Sequence, residues 1–463
     1  MGYILKLFDT DLLKFDVIEN LADPVLKITW MDESRKALFP LGMEVSDDGI
    51  ASFIRHRCIP KNRAYVNAFL AKNGLSANRP MDVITVCKGL SLNDSYWITE
   101  EDSVQSFASS NLYENRFSRL LAWTAFTGYG SSVRAAFLSS PEFTTNGMLP
   151  KCWRRMENKI YLYKGATSGA ANTGMEPYSE LYAYEIGAHA GFSVIPYKIS
   201  VWKGNVCSVC ELFTSKDLAY VPVGYIIKKG GMDAVRKFYG TLGAEFVDAL
   251  DEMLVFDAIV CNTDRHFGNF GVLVDSHTNQ IAAPAPLFDH GNALFNLAGE
   301  ENWENENVLQ AYIDTLFPCV YDDFMEEAKR VLKPSIREKV KKLCCFLGIK
   351  VHTALSLIVE TGDFSRFAKG NTYAAFLGLA PGEHSSGEKT NRTGISKAGN
   401  LHLRELLVEA SCGICKGAVG HKSKELRARQ KGNTAEVIAY ADRANIRLRS
   451  RYYKFIRHGK KKN

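Results

Sequence analysis

Residues 262–271 read Asn-Thr-Asp-Arg-His-Phe-Gly-Asn-Phe-Gly, and Asp289 follows inside Leu-Phe-Asp-His-Gly. An Asp, an Asn five positions later and a second Asp in the next segment form the skeleton of a phosphotransferase site. Asp264 can orient or deprotonate an attacking hydroxyl. Asn269 and Asp289 offer hard oxygen ligands to the Mg²⁺ that bridges nucleotide phosphates. Asp and Asn are also ordinary turn formers. The second acid, the apolar flanks, His266 and the helical pattern ahead of the loop favour chemistry.

Working outward, Phe246, Leu250, Met253, Leu254 and Ala258 recur at helical spacing, so a helix over 244–261 delivers the chain to Asp264. Gly271–Val274 and 281–287 predict a hairpin that presents Asp289. Upstream, Cys152–Arg155 and Ile160–Lys164 predict two strands around a turn at Glu157-Asn158. A helix is expected from Pro177 to Gly191, and Gly204-Asn205 signals a further hairpin between 194–201 and 206–213. Lys164 closes its strand where an ammonium can reach nucleotide phosphates, or simply snorkels to solvent. Glu180 on the following helix is its expected partner, with Glu185 the competing acid. With His266, these are the candidate nucleotide-side residues. The Gly/Ala/Ser/Thr-rich loop 165–174 lacks the order of a P-loop and reads as a connector. The turn at 144–147 is the better candidate to cover phosphates. Residues 1–60 alternate in short apolar bursts and read as β-rich, and 61–73 reads as a helix stopped by Gly74. The expected fold class is α+β. It is a bilobal protein-kinase-like fold with a β-rich N-terminal unit (1–110), a small lobe (111–215), a helical large lobe (216–345) and a basic helical segment (346–463).

The runs N-T-D-R-H-F-G-N-F-G-V-L, P-A-P-L-F-D-H-G, Y-L-Y-K and P-Y-S-E-L-Y-A-Y-E-I-G-A-H-A-G-F resemble HipA-type serine/threonine kinases, the toxin half of bacterial toxin–antitoxin pairs. The resemblance spans roughly 110–345. It implies Asp264 as catalytic base, Asn269 and Asp289 as Mg²⁺ ligands, Lys164 as an ATP contact, a protein substrate and an antitoxin partner. Such kinases often carry a phosphorylatable serine over ATP; Ser139, Ser140, Thr144 and Thr145 are the nearby hydroxyls. A lipid or small-molecule phosphotransferase is the alternative enzyme reading.

Charge divides the chain. Residues 346–463 hold 22 Lys/Arg against 9 Asp/Glu, while the preceding residues hold 35 against 42. A basic end on an acidic body predicts two modules with different partners, the basic one suited to DNA or RNA phosphates. Here F-L-G-L-A-P-G-E-H-S-S-G, G-I-S-K-A-G-N and L-R-E-L-L-V-E-A resemble the C-terminal domain of Piv-type insertion-sequence transposases, which supplies a serine nucleophile. Ser385 and Ser386 both stand where that serine falls. The RuvC-like domain that such enzymes carry ahead of it is replaced here by the kinase-like region, so the resemblance implies a fused remnant that binds nucleic acid or takes part in DNA rearrangement.

No run of about 18 apolar residues suggests a membrane span. The N-terminus reads as neither a signal peptide nor a myristoylation site. Eleven cysteines, odd and irregularly placed, suit a reducing cytoplasm. The pairs Cys207/Cys210 and Cys412/Cys415 have zinc-site spacing within each pair, but reduced thiols are the simpler expectation.

Overall fold

The computed structural model describes residues 2–129, 140–167, 174–331, 334–362, 364–383 and 392–458. Packing divides the chain into two compact units, Met1–Ala188 with Phe192–Val331, and Leu332–Asn463 with His189–Gly191. The division falls at 331/332, ahead of the charge change at 346. The reason is local: Val340 and Leu343 pack on the cluster formed by Ile349, Ala354, Leu357 and Leu403.

The first unit opens with strands β1 (Gly2–Leu7), β2 (Thr10–Glu19) and β3 (Val25–Met31). Helices α1 (Asp47–His56), α2 (Val66–Lys72) and α3 (Pro80–Cys87) follow, then β4 (Tyr96–Glu100). The strands form an antiparallel sheet in the order β3-β2-β1-β4. Alternate residues Leu5, Leu7, Leu13 and Phe15 are buried with Ile50, Ile54, Phe69 and Ile84 from the helices. This unit is therefore less purely β than the alternation suggests. α1 carries a readable start signal, because Ser46 Oγ accepts from Gly49 N and Asp47 and Asp48 occupy the first turn.

After α4 (Phe107–Ser110) and α5 (Arg119–Thr127) come β5 (Lys151–Met156), β6 (Lys159–Gly165), α6 (Glu176–Ala190), β7 (Tyr197–Trp202) and β8 (Asn205–Glu211). The sheet order is β5-β6-β8-β7, antiparallel throughout. Glu157 and Asn158 both have positive φ, the geometry of a two-residue hairpin turn matched to strand twist. The second hairpin turns on Lys203-Gly204, not Gly204-Asn205. Lys203 and Gly204 take the positive φ values, and Asn205 already pairs with Trp202.

The rest of the first unit has β9 (Leu218–Pro222), α7 (Val223–Ile226), α8 (Gly231–Leu242), α9 (Ala244–Val260), β10 (Gly271–Asp275), β11 (Ile281–Pro284), α10 (Glu306–Ile313) and α11 (Phe324–Val331). α9 buries Leu250, Leu254, Phe256 and Val260, and Cys261 ends it with a left-handed φ of 51°. The chain thus turns sharply into Asn262. A small antiparallel sheet carrying a lysine and followed by a glutamate helix, then a long helix, a polar loop and a hairpin, is a protein-kinase-like α+β arrangement.

The second unit is mainly helical: α12 (Pro334–Leu343), α13 (Val351–Thr361), α14 (Gly370–Phe376), the hairpin β12 (Pro381–Glu383) with β13 (Arg392–Ile395), α15 (Leu401–Ser411), α16 (Lys424–Gln430) and α17 (Ala435–Arg457). Among the described residues, no helix is long and apolar enough to cross a membrane.

Candidate active site

Four segments of the first unit converge. β6 supplies Lys164, α6 supplies Glu180, the loop after α9 supplies Asp264 and Asn269, and the loop after β11 supplies Asp289. Lys164 Nζ is buried between the Glu180 and Asp289 carboxylates and donates to both. Burial disfavours its charge, but the two acids outweigh that and hold it protonated well above the ordinary lysine range. Glu180 Oε2 also accepts from His290 N at 2.9 Å. One carboxylate therefore links the lysine, the helix and the Asp-His-Gly turn. Glu180, and not Glu185, is the lysine's partner.

Asp289 has a φ of 60°, a left-handed conformation that Asp and Asn tolerate better than other side chains with a Cβ. Burial pushes its carboxyl upward, and Lys164 more than reverses this, leaving it ionised below the usual range. Asp264 behaves oppositely. Burial first, then the charge of Asp289, raises its carboxyl above the ordinary value. Its Oδ2 accepts from Asn292 Nδ2 at 3.1 Å, and its N–H bonds to Asn262 Oδ1 at 3.2 Å. One acid is held charged and its neighbour is tuned toward a base. Asn269 donates Nδ2 to Asp264 O at 3.0 Å, which leaves Oδ1 as its acceptor end. Asn269 Oδ1 and the Asp289 carboxylate are a hard-oxygen pair of the kind Mg²⁺ takes. His266 is exposed, and its Nδ1 accepts from Gly268 N at 3.0 Å, bracing the loop.

Three contributors were not singled out in the sequence. Arg265 is fully buried; its Nε reaches Asp257 Oδ2 at 2.9 Å and its Nη2 reaches Asp257 Oδ1 at 2.9 Å. Its Nη1 donates to Asn269 O at 2.9 Å and Phe288 O at 2.7 Å, so one guanidinium ties α9, the Asp264 loop and the Asp289 loop together. Asn292 clamps the same two loops. Lys151 on β5 faces Lys164 in register. Its Nζ lies directly under Gly147, where an added Cβ would stand only 2.2 Å away. Burial, then repulsion from Lys164, pushes its ammonium down to about 7. The signal was available: counting outward from the Glu157-Asn158 turn pairs Met156 with Lys159 and Lys151 with Lys164.

Of the hydroxyls near this turn, Ser140 is buried and donates to Glu142, Thr144 donates to Leu90 O at 2.7 Å, and Thr145 donates to Pro141 O at 2.6 Å. Ser139 and residues 168–173 of the Gly/Ala loop lie outside the described residues. Cys207 and Cys210 are three apart on β8, so they face opposite sides of the sheet and do not chelate together.

Residues 340–425 match the family described as Transposase IS116/IS110/IS902 family. The putative transposase y4qE of Sinorhizobium fredii is 35% identical over 127 residues, 27% of this chain and 32% of that protein. The transposase for insertion sequence element IS1111A of Coxiella burnetii is 34% identical over 126 residues, 26% of this chain and 34% of that protein. A probable family 20 transposase of Pseudomonas aeruginosa is 30% identical over 251 residues, 50% of this chain and 66% of that protein. The second unit carries a transposase-family segment. The chain spans about a third of the length of the first two relatives. Among solved structures, it is similar to the Helicobacter pylori proinflammatory kinase CtkA, with 19% identity, a TM-score of 0.36, and coverage of 64% of this chain and 94% of that one. It is also similar to a chain of the Shewanella oneidensis MR-1 toxin–antitoxin complex of HipA, HipB and operator DNA, with 10% identity, a TM-score of 0.44 and 98% coverage of both. The kinase reading rests on the geometry of the site itself.

In the transposase-family segment, motif residues serve as braces. Gly399 lies so close to Phe376 O that a Cβ would stand 2.4 Å from it. Asn400 caps α15 through Leu403 N at 2.9 Å and donates to Glu360 at 2.7 Å. Arg404 Nη1 binds Leu377 O at 3.0 Å. Ser385 and Ser386 lie outside the described residues. On α17, Arg443, Arg447, Arg451, Lys454 and Arg457 are exposed and spaced by three or four residues, which puts them on one face. Arg449 is buried and committed to carbonyls of the 414–421 loop, including Ala418 O at 2.9 Å. Tyr453 donates to Gly417 O at 2.9 Å and so belongs to the same brace.

Proposed function

We propose that the first unit is an ATP- and Mg²⁺-dependent kinase that phosphorylates serine or threonine on a protein, with its small lobe within 111–215 and its large lobe from 216. The observation that carries this is Lys164 held between Glu180 and Asp289, beside an Asp264 whose carboxyl is raised. Lys164 positions nucleotide phosphates and Lys151 adds a second ammonium from under the 144–147 turn. Asn269 and Asp289 would hold Mg²⁺, which supplies charge neutralisation across the phosphates when bound. Asp264 orients the acceptor hydroxyl and takes its proton, and Asn292 fixes the rotamer in which it does so. The test is transfer of label from ATP to protein, run beside lipid and aminoglycoside acceptors. Label entering only lipid or antibiotic would move the assignment to the alternative phosphotransferase class.

For the second unit we propose nucleic-acid binding through the α17 stripe, supported by the family match and by five exposed cations on one face. Salt-dependent binding of duplex DNA and of RNA by the full chain tests it. Binding insensitive to substitution of the stripe would remove it.

A further inference from the structure

A cavity of about 520 Å³ lies in the first unit, and its walls include none of Lys164, Glu180, Asp264, Asn269 or Asp289. Its volume falls in the range of small-molecule pockets, roughly 300–1,000 Å³. Phe53, Tyr96, Tyr220, Tyr225 and Phe267 give it flat aromatic walls. Its charged lining residues balance, Arg57 and Lys228 against Asp94 and Glu44. Arg57 is already spoken for, since it pairs with Asp94 and donates to Gly89 O at 3.1 Å. Lys228 and Glu44 are the remaining charges of the lining and offset each other in sum, so the cavity as a whole favours an uncharged occupant. Ser276 also lines the cavity, but its Oγ is closed off from the open space.

We infer that this cavity is a second ligand site, for an uncharged, planar aromatic or heteroaromatic small molecule. It is joined to the candidate active site on two sides. Phe267 sits between Asp264 and Asn269, its O accepts from Gly224 N at 2.9 Å, and Tyr220 Oη donates to Gly268 O at 3.0 Å. Thr144 and Asn146 carry the cavity wall into the turn above Lys151. An occupant would therefore stiffen both the acceptor-orienting loop and the phosphate-covering turn; that consequence rests on the kinase reading, while the binding site does not.

The test uses indole and quinoline as probes in saturation-transfer NMR with the full chain. Saturable binding is expected, unaffected by excess ATP and retained in Asp289→Asn. Ser52→Phe, which fills the cavity from the half-buried side of α1, should weaken it by roughly tenfold or more. Absence of saturable binding, displacement by ATP, or equal binding by a folded Ser52→Phe would overturn the inference. Loss of kinase activity alone would leave these NMR outcomes unchanged.

Discussion

Lys151 and Lys164 stand opposite each other on neighbouring antiparallel strands, and burial disfavours the charge of both, yet their ammonium groups end up shifted in opposite directions. Lys164 has two carboxylates to offset its desolvation. For Lys151, repulsion from Lys164 adds to burial, Asp289 and Glu180 offset only part of it, and the ammonium is left at about 7. A buried cation without a matched anion is the arrangement expected of a group waiting for phosphate.

Lys151→Met should therefore separate stability from function. The folded-state value of about 7 lies below the unfolded 10.5, so protonation penalises the fold. That penalty is fully present below about pH 7 and fades as pH rises toward 10.5. The variant should be more stable than wild type by roughly 1–3 kcal/mol at pH 6.5, with a smaller gain at pH 9, while binding ATP more weakly. Thermal melts at the two pH values and nucleotide titration check both halves. A destabilised variant with normal ATP affinity would count against the role given to Lys151.

Removing Lys164 should do the reverse. Lys164→Met leaves Glu180 and Asp289 facing each other without a cation, which should cost about 2–4 kcal/mol of stability. The companion Glu180→Gln keeps the shape and should mainly raise the KM for ATP. Denaturant midpoints and initial rates distinguish the two variants.

Arg265→Lys tests the brace behind the loops. Lysine keeps the charge but cannot form the paired contacts to Asp257 while also reaching Asn269 O and Phe288 O. A stability loss of about 2–4 kcal/mol and a lower kcat are expected. A melt unchanged from wild type would show the pair to be dispensable.

The pH profile should carry the mark of Asp264. Its carboxyl is raised by burial and by Asp289, so the base form is lost as pH falls through a value above the ordinary carboxylate range of about 4. The acid limb of kcat should therefore lie higher than for an exposed aspartate. Asn292→Ala removes a hydrogen bond that favours the ionised form, and should move that limb higher still.

Much of this was legible because local rules and tertiary need agreed. The spacing in 262–271, the periodicity of α9 and the Glu157-Asn158 turn each named an element and its place. Legibility failed where a residue's role is set by partners far along the chain. Arg265 stood inside the quoted run, but its value comes from Asp257, Asn269 O and Phe288 O, which no periodicity reports. The Gly204-Asn205 signal misplaced its turn by one residue, since Lys203 accepts a positive φ once Asn205 is committed to pairing with Trp202. Charge counting cannot tell one basic residue of the tail from another. The fold withdraws Arg449 for internal use and leaves a five-cation stripe on the exposed face.

The proposed phosphoryl transfer runs through Asp264 and Asp289. The direct measurement is transfer of label from γ-phosphate-labelled ATP to protein by wild type, Asp264→Asn and Asp289→Asn, each shown folded by thermal melt. Asparagine suits position 289 because it tolerates the left-handed backbone there. Labelled phosphoserine or phosphothreonine is expected with wild type, and a loss of roughly a hundredfold or more in each variant. Equal labelling by wild type and both folded variants would contradict it.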